Sequence, residues 1–204
     1  MLEKILEFDT SLFNLINHCR CTAMDWIMSF LSWYVFIYAA GFALALLIMW
    51  KNNFKYWYLY AIFFILSVSL ADRLSVVCFK DVFCRLRPSH TLPDSITVKL
   101  QSFALDYSYR GGLYGFVSSH ASNLFSIITF ASLSLPKDKY FKPILTGLLL
   151  FGLFGIYSRV YCGYHYPSDV ICGSLLGAFL GFVSYKLCSL LILKIKSKKE
   201  KSLQ

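Results

Sequence analysis

Charge is what this chain has least of: 15% of its 204 residues are charged and 57% are hydrophobic. An ordinary soluble domain carries roughly a quarter of its residues as charges, so a free-standing water-soluble fold is excluded. No glycine-rich phosphate loop of the Walker type is present, which removes kinase and nucleotide-binding readings. Repeats and low-complexity tracts are also missing apart from a charged tail after Leu193. The start is acidic, with no short apolar core and small-residue cleavage site behind it, so no secretory signal peptide is expected. Cysteines number seven, and the grouping of His18, Cys19 and Cys21 fits no zinc spacing. Neither a metal nor another cofactor is expected. Cys172 and Cys188 fall inside an apolar run, where a thiol behaves as a small hydrophobe. Cys19, Cys21, Cys78, Cys84 and Cys162 lie where a disulfide is chemically possible.

What the chain has in quantity is long apolar runs. A bilayer crossing takes about 20 mostly apolar residues, and five stretches qualify: Trp26 to Trp50, Phe54 to Phe79, Ser119 to Leu135, Ile144 to Tyr157 and Val170 to Leu193. Before them, Leu2 to His18 mixes Leu2, Ile5, Leu6, Phe8, Leu12, Phe13, Leu15 and Ile16 with Glu3, Lys4, Glu7 and Asp9. That pattern predicts an amphipathic helix lying on the membrane interface, with a re-entrant first helix as the alternative. The expectation is an all-α integral membrane bundle of six helices, five of them transmembrane. Residues 1–193 form its single domain, and 194–204 form a basic tail without fixed structure.

Lysine placement gives the orientation, because short basic segments stay cytoplasmic. Lys51 and Lys55, then Lys137, Lys139 and Lys142, then Lys194, Lys196, Lys198, Lys199 and Lys201 alternate with the runs so that all fall on one side. Trp50, Trp57 and Tyr140 mark that interface, and Trp26, Tyr157, Tyr161, Tyr164 and Tyr166 the other. The net charge of +9 is therefore a topology signal with a lipid-facing tail rather than a nucleic-acid patch. No nucleic acid and no protein partner is expected.

Three polar clusters sit at the ends of apolar runs, all on the side away from the lysines. Lys80, Arg85 and Arg87 supply a compact cation and planar forks suited to phosphate oxygens. Ser118, Ser119 and His120 open the third run, where unpaired backbone N–H groups and hydroxyls receive an anion. Arg159, His165 and Asp169 precede the last run. Pro167 suits the first turn of a helix, and Asp169 then reaches back to His165 to hold one ring nitrogen and free the other for attack. Between the first two clusters, Asp81 to Val117 is the one long connection. It carries Pro88, Pro93, Gly111-Gly112, Phe103, Tyr107, Tyr109 and Tyr114, and reads as a structured lid.

Lys80, six residues, Arg87-Pro88; then Ser118 and His120; then Ser158-Arg159, five residues, His165, three residues, Asp169: this order resembles the tripartite signature of the type 2 phosphatidic acid phosphatase and haloperoxidase superfamily. The apolar runs exclude its soluble haloperoxidase branch. The resemblance implies an α-helical bundle that hydrolyses lipid phosphates without a metal. It implies that His165 attacks phosphorus, that Asp169 orients it, and that His120 protonates the leaving group. Lys80, Arg87, Ser118 and Arg159 would hold the phosphoryl oxygens, with Ser119 beside them. Two positions depart from the pattern, since Val117 and Ser119 stand where Pro and Gly are usual. Small size resembles bacterial members acting on undecaprenyl diphosphate or lipid A phosphate, in the inner membrane with the site facing the periplasm or exterior. The alternatives are phosphatidylglycerophosphate or phosphatidate phosphatase, or a non-catalytic protein that binds or transports lipid phosphate.

Overall fold

A computed structural model describes residues 2–19, 21–92 and 111–202. Regular structure among these residues is helical, with one isolated antiparallel bridge between Leu86 and Tyr114. Helix α1 spans Leu2–His18, α2 Thr22–Leu31, α3 Tyr34–Lys51 and α4 Trp57–Leu74. A π-helical turn, Ser75–Lys80, extends α4 into the short α5, Asp81–Phe83. The short α6 is Pro88–Thr91, and α7 Ser119–Ser134, α8 Phe141–Tyr161 and α9 Pro167–Lys201 complete the order.

Among the described residues, four helical stretches are long and apolar enough to cross a membrane: Tyr34–Lys51, Trp57–Phe83, Phe141–Tyr161 and Pro167–Lys201. The expected run from Trp26 to Trp50 is therefore not one helix. It breaks at Ser32 and Trp33 although the sequence there stays apolar. The cause is tertiary: Arg159, from α8, takes the Ser32 carbonyl at 3.0 Å and also the Ser32 hydroxyl. A carbonyl still bonded inside a continuous helix would be a poorer acceptor. The last helix also exceeds expectation, since α9 continues as exposed helix to Lys201 through the basic segment. Lysine and leucine are good helix formers, and propagating an existing helix is far easier than starting one.

Helix α7 is the centre of the bundle, buried along nearly its whole length. Leu124, Ile127 and Phe130 pack with Ile37 of α3 and Phe64 of α4 in one core cluster. Against α9 the fit is closer. A Cβ added at Gly173 would stand 2.6 Å from the Ser118 carbonyl oxygen, and one at Gly181 would stand 2.6 Å from that of Ser126. The four-residue spacing puts Gly173, Gly177 and Gly181 on one face of α9, the small-residue packing by which membrane helices bring their backbones together. Ser122 Oγ closes the seam by donating to the Gly173 carbonyl at 2.9 Å.

The bundle has two unlike ends. At one, Lys51 Nζ pairs with Asp138 Oδ2 at 2.7 Å and lies 4.7 Å from the Tyr140 ring, while Lys196 Nζ lies 5.9 Å from the Tyr56 ring. These contacts bring the three basic segments to the same end. At the other end, Lys80 meets Ser119 and Arg85 meets Asp169. Much of the expected lid, including Pro93, Phe103, Tyr107 and Tyr109, lies outside the described residues. Its flanks are ordered by the Leu86–Tyr114 bridge, with Arg87 N donating to Leu113 O at 3.2 Å and Gly115 N to Arg85 O at 2.8 Å.

Candidate active site

The site is assembled from four helix ends. The π-helical turn at the end of α4 adds a residue to the ordinary helical register, a distortion often found at functional sites. It delivers Lys80, whose Nζ donates to Ser119 Oγ at 2.6 Å, with Ser75 Oγ 2.7 Å from the same hydroxyl. Ser118 caps α7, its Oγ accepting Ala121 N at 3.4 Å. The Ser118 amide donates to the Asp169 carbonyl at 3.0 Å and is thus used to join α7 to α9 rather than offered to an anion.

His120, in the first turn of α7, is buried, and neither ring nitrogen makes a well-formed hydrogen bond among the described residues. Its ring packs edge-on against Tyr34, with centroids 4.7 Å apart. Arg159 is buried at the end of α8, its guanidinium 4.1 Å from the Tyr164 ring and 5.7 Å from the Tyr34 ring. Arg159 Nε has no hydrogen-bond partner among the described residues. Leaving a buried polar atom unsatisfied costs about 1–3 kcal/mol, which marks these nitrogens as places for a polar ligand. Arg87 Nε donates to the Tyr114 carbonyl at 3.1 Å, and Gly111 passes so close that a Cβ there would stand 3.0 Å from Arg87 Nη1.

The third cluster folds as its sequence dictates. Pro167 starts α9, placing Asp169 in the first turn, where its Oδ2 accepts Tyr166 N at 3.1 Å and lies 3.4 Å from His165 Nδ1. The histidine contact is longer than a well-formed hydrogen bond, as catalytic contacts often are before substrate tightens them. The loop 163–166, between α8 and α9, is tied to Arg159, whose carbonyl accepts the amides of Tyr164 at 3.0 Å and His165 at 3.2 Å. Burial, then the nearby Arg87, Arg159, Lys80 and His120, hold the His165 imidazole well below its ordinary pKa. It is therefore a neutral base ringed by cations. The eight residues that the resemblance brings to the site, Lys80, Arg87, Ser118, Ser119, His120, Arg159, His165 and Asp169, thus gather at one end of the bundle.

A model described as the PAP2 superfamily matches residues 57–191. The chain belongs to that superfamily. Among its relatives, the lipid A 4'-phosphatase of Porphyromonas gingivalis is 34% identical over 91% of this chain and 75% of its own length. The undecaprenyl-diphosphatase of Sulfolobus acidocaldarius is 32% identical over 91% of this chain and 81% of its own. In structure the chain is similar to LpxE of Aquifex aeolicus, with a TM-score of 0.62 and 28% identity over 87% of this chain and 94% of that one. A phosphatidylglycerolphosphate phosphatase from Bacillus subtilis shares the fold, with a TM-score of 0.70 at 18% identity over 90% of this chain and 86% of that one. This PAP2 protein is an integral membrane phosphatase of lipid substrates, and the metal-independent phosphohistidine route is general to its superfamily.

Two participants, Tyr34 and Asp9, were not singled out for the site in the sequence, and a third, Arg85, has other partners than its grouping implied. Tyr34 touches both His120 and Arg159 but carried no signal, since aromatic residues are expected at span ends. Arg85, grouped by sequence with the phosphate-ready cations, is instead paired with Asp169 and Asp9. Asp9 did leave a trace: Asp9, Phe13 and Asn17 recur every four residues and are all buried, so a carboxylate sits in the inward stripe of an amphipathic helix.

Proposed function

We propose that this PAP2 enzyme removes phosphate from undecaprenyl diphosphate or a lipid A phosphate at the outer face of a bacterial inner membrane. The observation that carries the residue roles is the convergence of Lys80, Arg87, Arg159 and His120 around a buried His165 backed by Asp169. Phosphoryl transfer depends on positioning and on neutralising charge over the equatorial oxygens. Lys80, Arg87 and Arg159 supply that charge, with Ser118 and Ser119 at the helix start beside them.

Asp169 faces His165 Nδ1, so Nε2 is the attacking nitrogen. As its bond to phosphorus forms, the bond from phosphorus to the lipid-side oxygen breaks, and His120 gives that oxygen a proton. Water then attacks the phosphohistidine, passing its proton to His120 as the P–N bond breaks and phosphate leaves. Without His120, the lipid alkoxide or phosphate would depart unprotonated.

The three basic segments at the far end of the bundle support an inward-facing lysine end, and hence a site facing the periplasm or exterior. In this reading the four long helices and the central α7 make five crossings, and α1 lies along the interface or re-enters it as the sixth helix. Residues 1–193 are the phosphatase domain, and no protein partner is required.

The test is a panel of undecaprenyl diphosphate, lipid A, phosphatidylglycerophosphate and phosphatidate, each assayed for phosphate release with EDTA present. Preferred turnover of either of the first two is expected. Preference for either glycerophospholipid would overturn the substrate assignment, and strict dependence on an added divalent ion would overturn the mechanism.

A further inference from the structure

Two buried or half-buried charges of opposite sign at the site lie outside the superfamily's signature: Asp9 of α1 and Arg85 between α5 and α6. Asp9 Oδ1 accepts the Ser168 amide at 2.9 Å, and Asp9 Oδ2 accepts Ser168 Oγ at 2.6 Å and Arg85 Nη2 at 2.6 Å. The other arm of the same guanidinium, Nη1, donates to Asp169 Oδ1 at 2.9 Å and to Ser168 Oγ at 2.7 Å. Beneath it lies the Tyr166 ring, 4.2 Å from Arg85 Cζ.

The two oxygens of Asp169 therefore have separate duties. Oδ1 is held by Arg85, and Oδ2 faces His165 Nδ1 and the Tyr166 amide. A planar fork that binds both carboxylates fixes the angle of each, which a flexible ammonium would not do. If Asp9 lost its charge, Arg85 would keep only one anionic partner and could turn about its own stem. Asp169 would then be free to rotate, carrying Oδ2 away from the imidazole. There is little room for compensating movement, since a Cβ at Gly115 would already stand 2.9 Å from Asp169 Oδ2.

We propose that Asp9 is a positioning residue for the phosphatase reaction: through Arg85 it fixes Asp169, and so the orientation of His165, making the N-terminal helix part of the active site. The inference rests on the reading of His165 as the nucleophile. Such outer partners commonly change activity about 10- to 100-fold when removed from metal-bound histidines, and the same orienting logic applies here.

The experiment is steady-state kinetics on the full chain in detergent, with a lipid phosphate that the wild type hydrolyses. Asp9→Asn keeps the shape and an acceptor for the Ser168 amide but removes the charge facing Arg85. Its kcat should fall about 10- to 100-fold with KM within about threefold, and Asp9→Glu should recover part of the loss. In an Arg85→Ala background the same Asp9→Asn change should cost less than about twofold, because partners acting as one unit are not additive. Should Asp9→Asn fail to fold, Arg85→Lys takes its place: it keeps the cation, cannot fork two carboxylates, and should lower kcat in the same way. Wild-type kcat in the folded variant, a change confined to KM, or an undiminished loss in the Arg85→Ala background would overturn the proposal. His165→Ala, run in parallel, separates the failures. Turnover by His165→Ala removes the nucleophile assignment itself, whereas an inactive His165→Ala beside a fully active Asp9→Asn rejects only the role of Asp9.

Discussion

Lys51 and Lys80 are both lysines at helix ends of the same bundle, and among the described residues each donates a close hydrogen bond to a side-chain oxygen. Lys51 meets Asp138 with 15% and 38% of the two side chains exposed. Lys80 meets Ser119 in a recess shared with Arg87, Arg159 and two buried histidines. Lys51 is half-buried but is neutralised by its own carboxylate, and Asp138 is open to water. The recessed lysine shares a poorly solvated space with two more cations and has only distant carboxylates. Like charges gathered this way are unfavourable on their own, and they become useful when an anion arrives to balance them. Residue type alone therefore does not suit a lysine to receive a phosphate; convergence and restricted access to water do.

The sharpest way to break this comparison is to remove the group around which the recessed end is organised. His165→Ala should lower kcat by about 10⁴-fold or more, since residues of one catalytic unit fail together. Arg159→Ala should lower it about 10²- to 10³-fold through lost stabilisation of transition-state charge. Phosphate release from detergent-solubilised variants measures both. If Arg159→Ala retained more than a tenth of wild-type turnover, the cations would be binding groups only.

How far this end could be read without coordinates differs from residue to residue. Helix α1 has the bounds that its amphipathic pattern predicts, Leu2–His18, and Pro167 opens α9 as expected, because both follow from neighbours within a few residues. The gathering of the candidate-site residues at one end was legible because lysine, arginine and histidine seldom fall together at the ends of apolar runs. The break at Ser32 and the pairing of Arg85 with Asp9 were not legible. Each depends on an atom more than 70 positions away in the chain, Arg159 in the first case and Asp9 in the second. The π-helical turn under Lys80 likewise has no local sequence signal, as its residues Ser75–Lys80 would fit an ordinary helix.

A milder perturbation uses pH. Burial and the surrounding cations hold the His165 pKa well below its ordinary value, so the imidazole stays neutral and nucleophilic as pH drops through 6.5. The acid limb of kcat/KM that belongs to His165 should therefore lie well below that of an exposed histidine. Asp169 also faces this ring, and the repelling groups are Arg87, Arg159, Lys80 and His120. Removing one cation weakens the repulsion and raises the pKa, so Arg87→Ala should move the acid limb to higher pH as well as slow the reaction. A limb that stayed put or moved the other way would mean that Arg87 does not set the charge state of His165.

The smallest effect belongs to the other end. Lys51→Ala removes an ion pair with Asp138, whose carboxyl is held below its ordinary pKa chiefly by the hydrogen bond from Lys51. That pair links the end of α3 to the loop before α8, far from His165 along every helix that joins the two ends. Exposed pairs are screened by water and salt and contribute little. Turnover by Lys51→Ala should stay within about twofold of wild type across the range of salt in which the enzyme is soluble. A larger drop would mean that the loop carrying Asp138 is coupled to the catalytic end through α8, the helix that ends in Arg159. The contrast between a solvated lysine end and a recessed catalytic end would then give way to a single electrostatic unit running the length of the bundle.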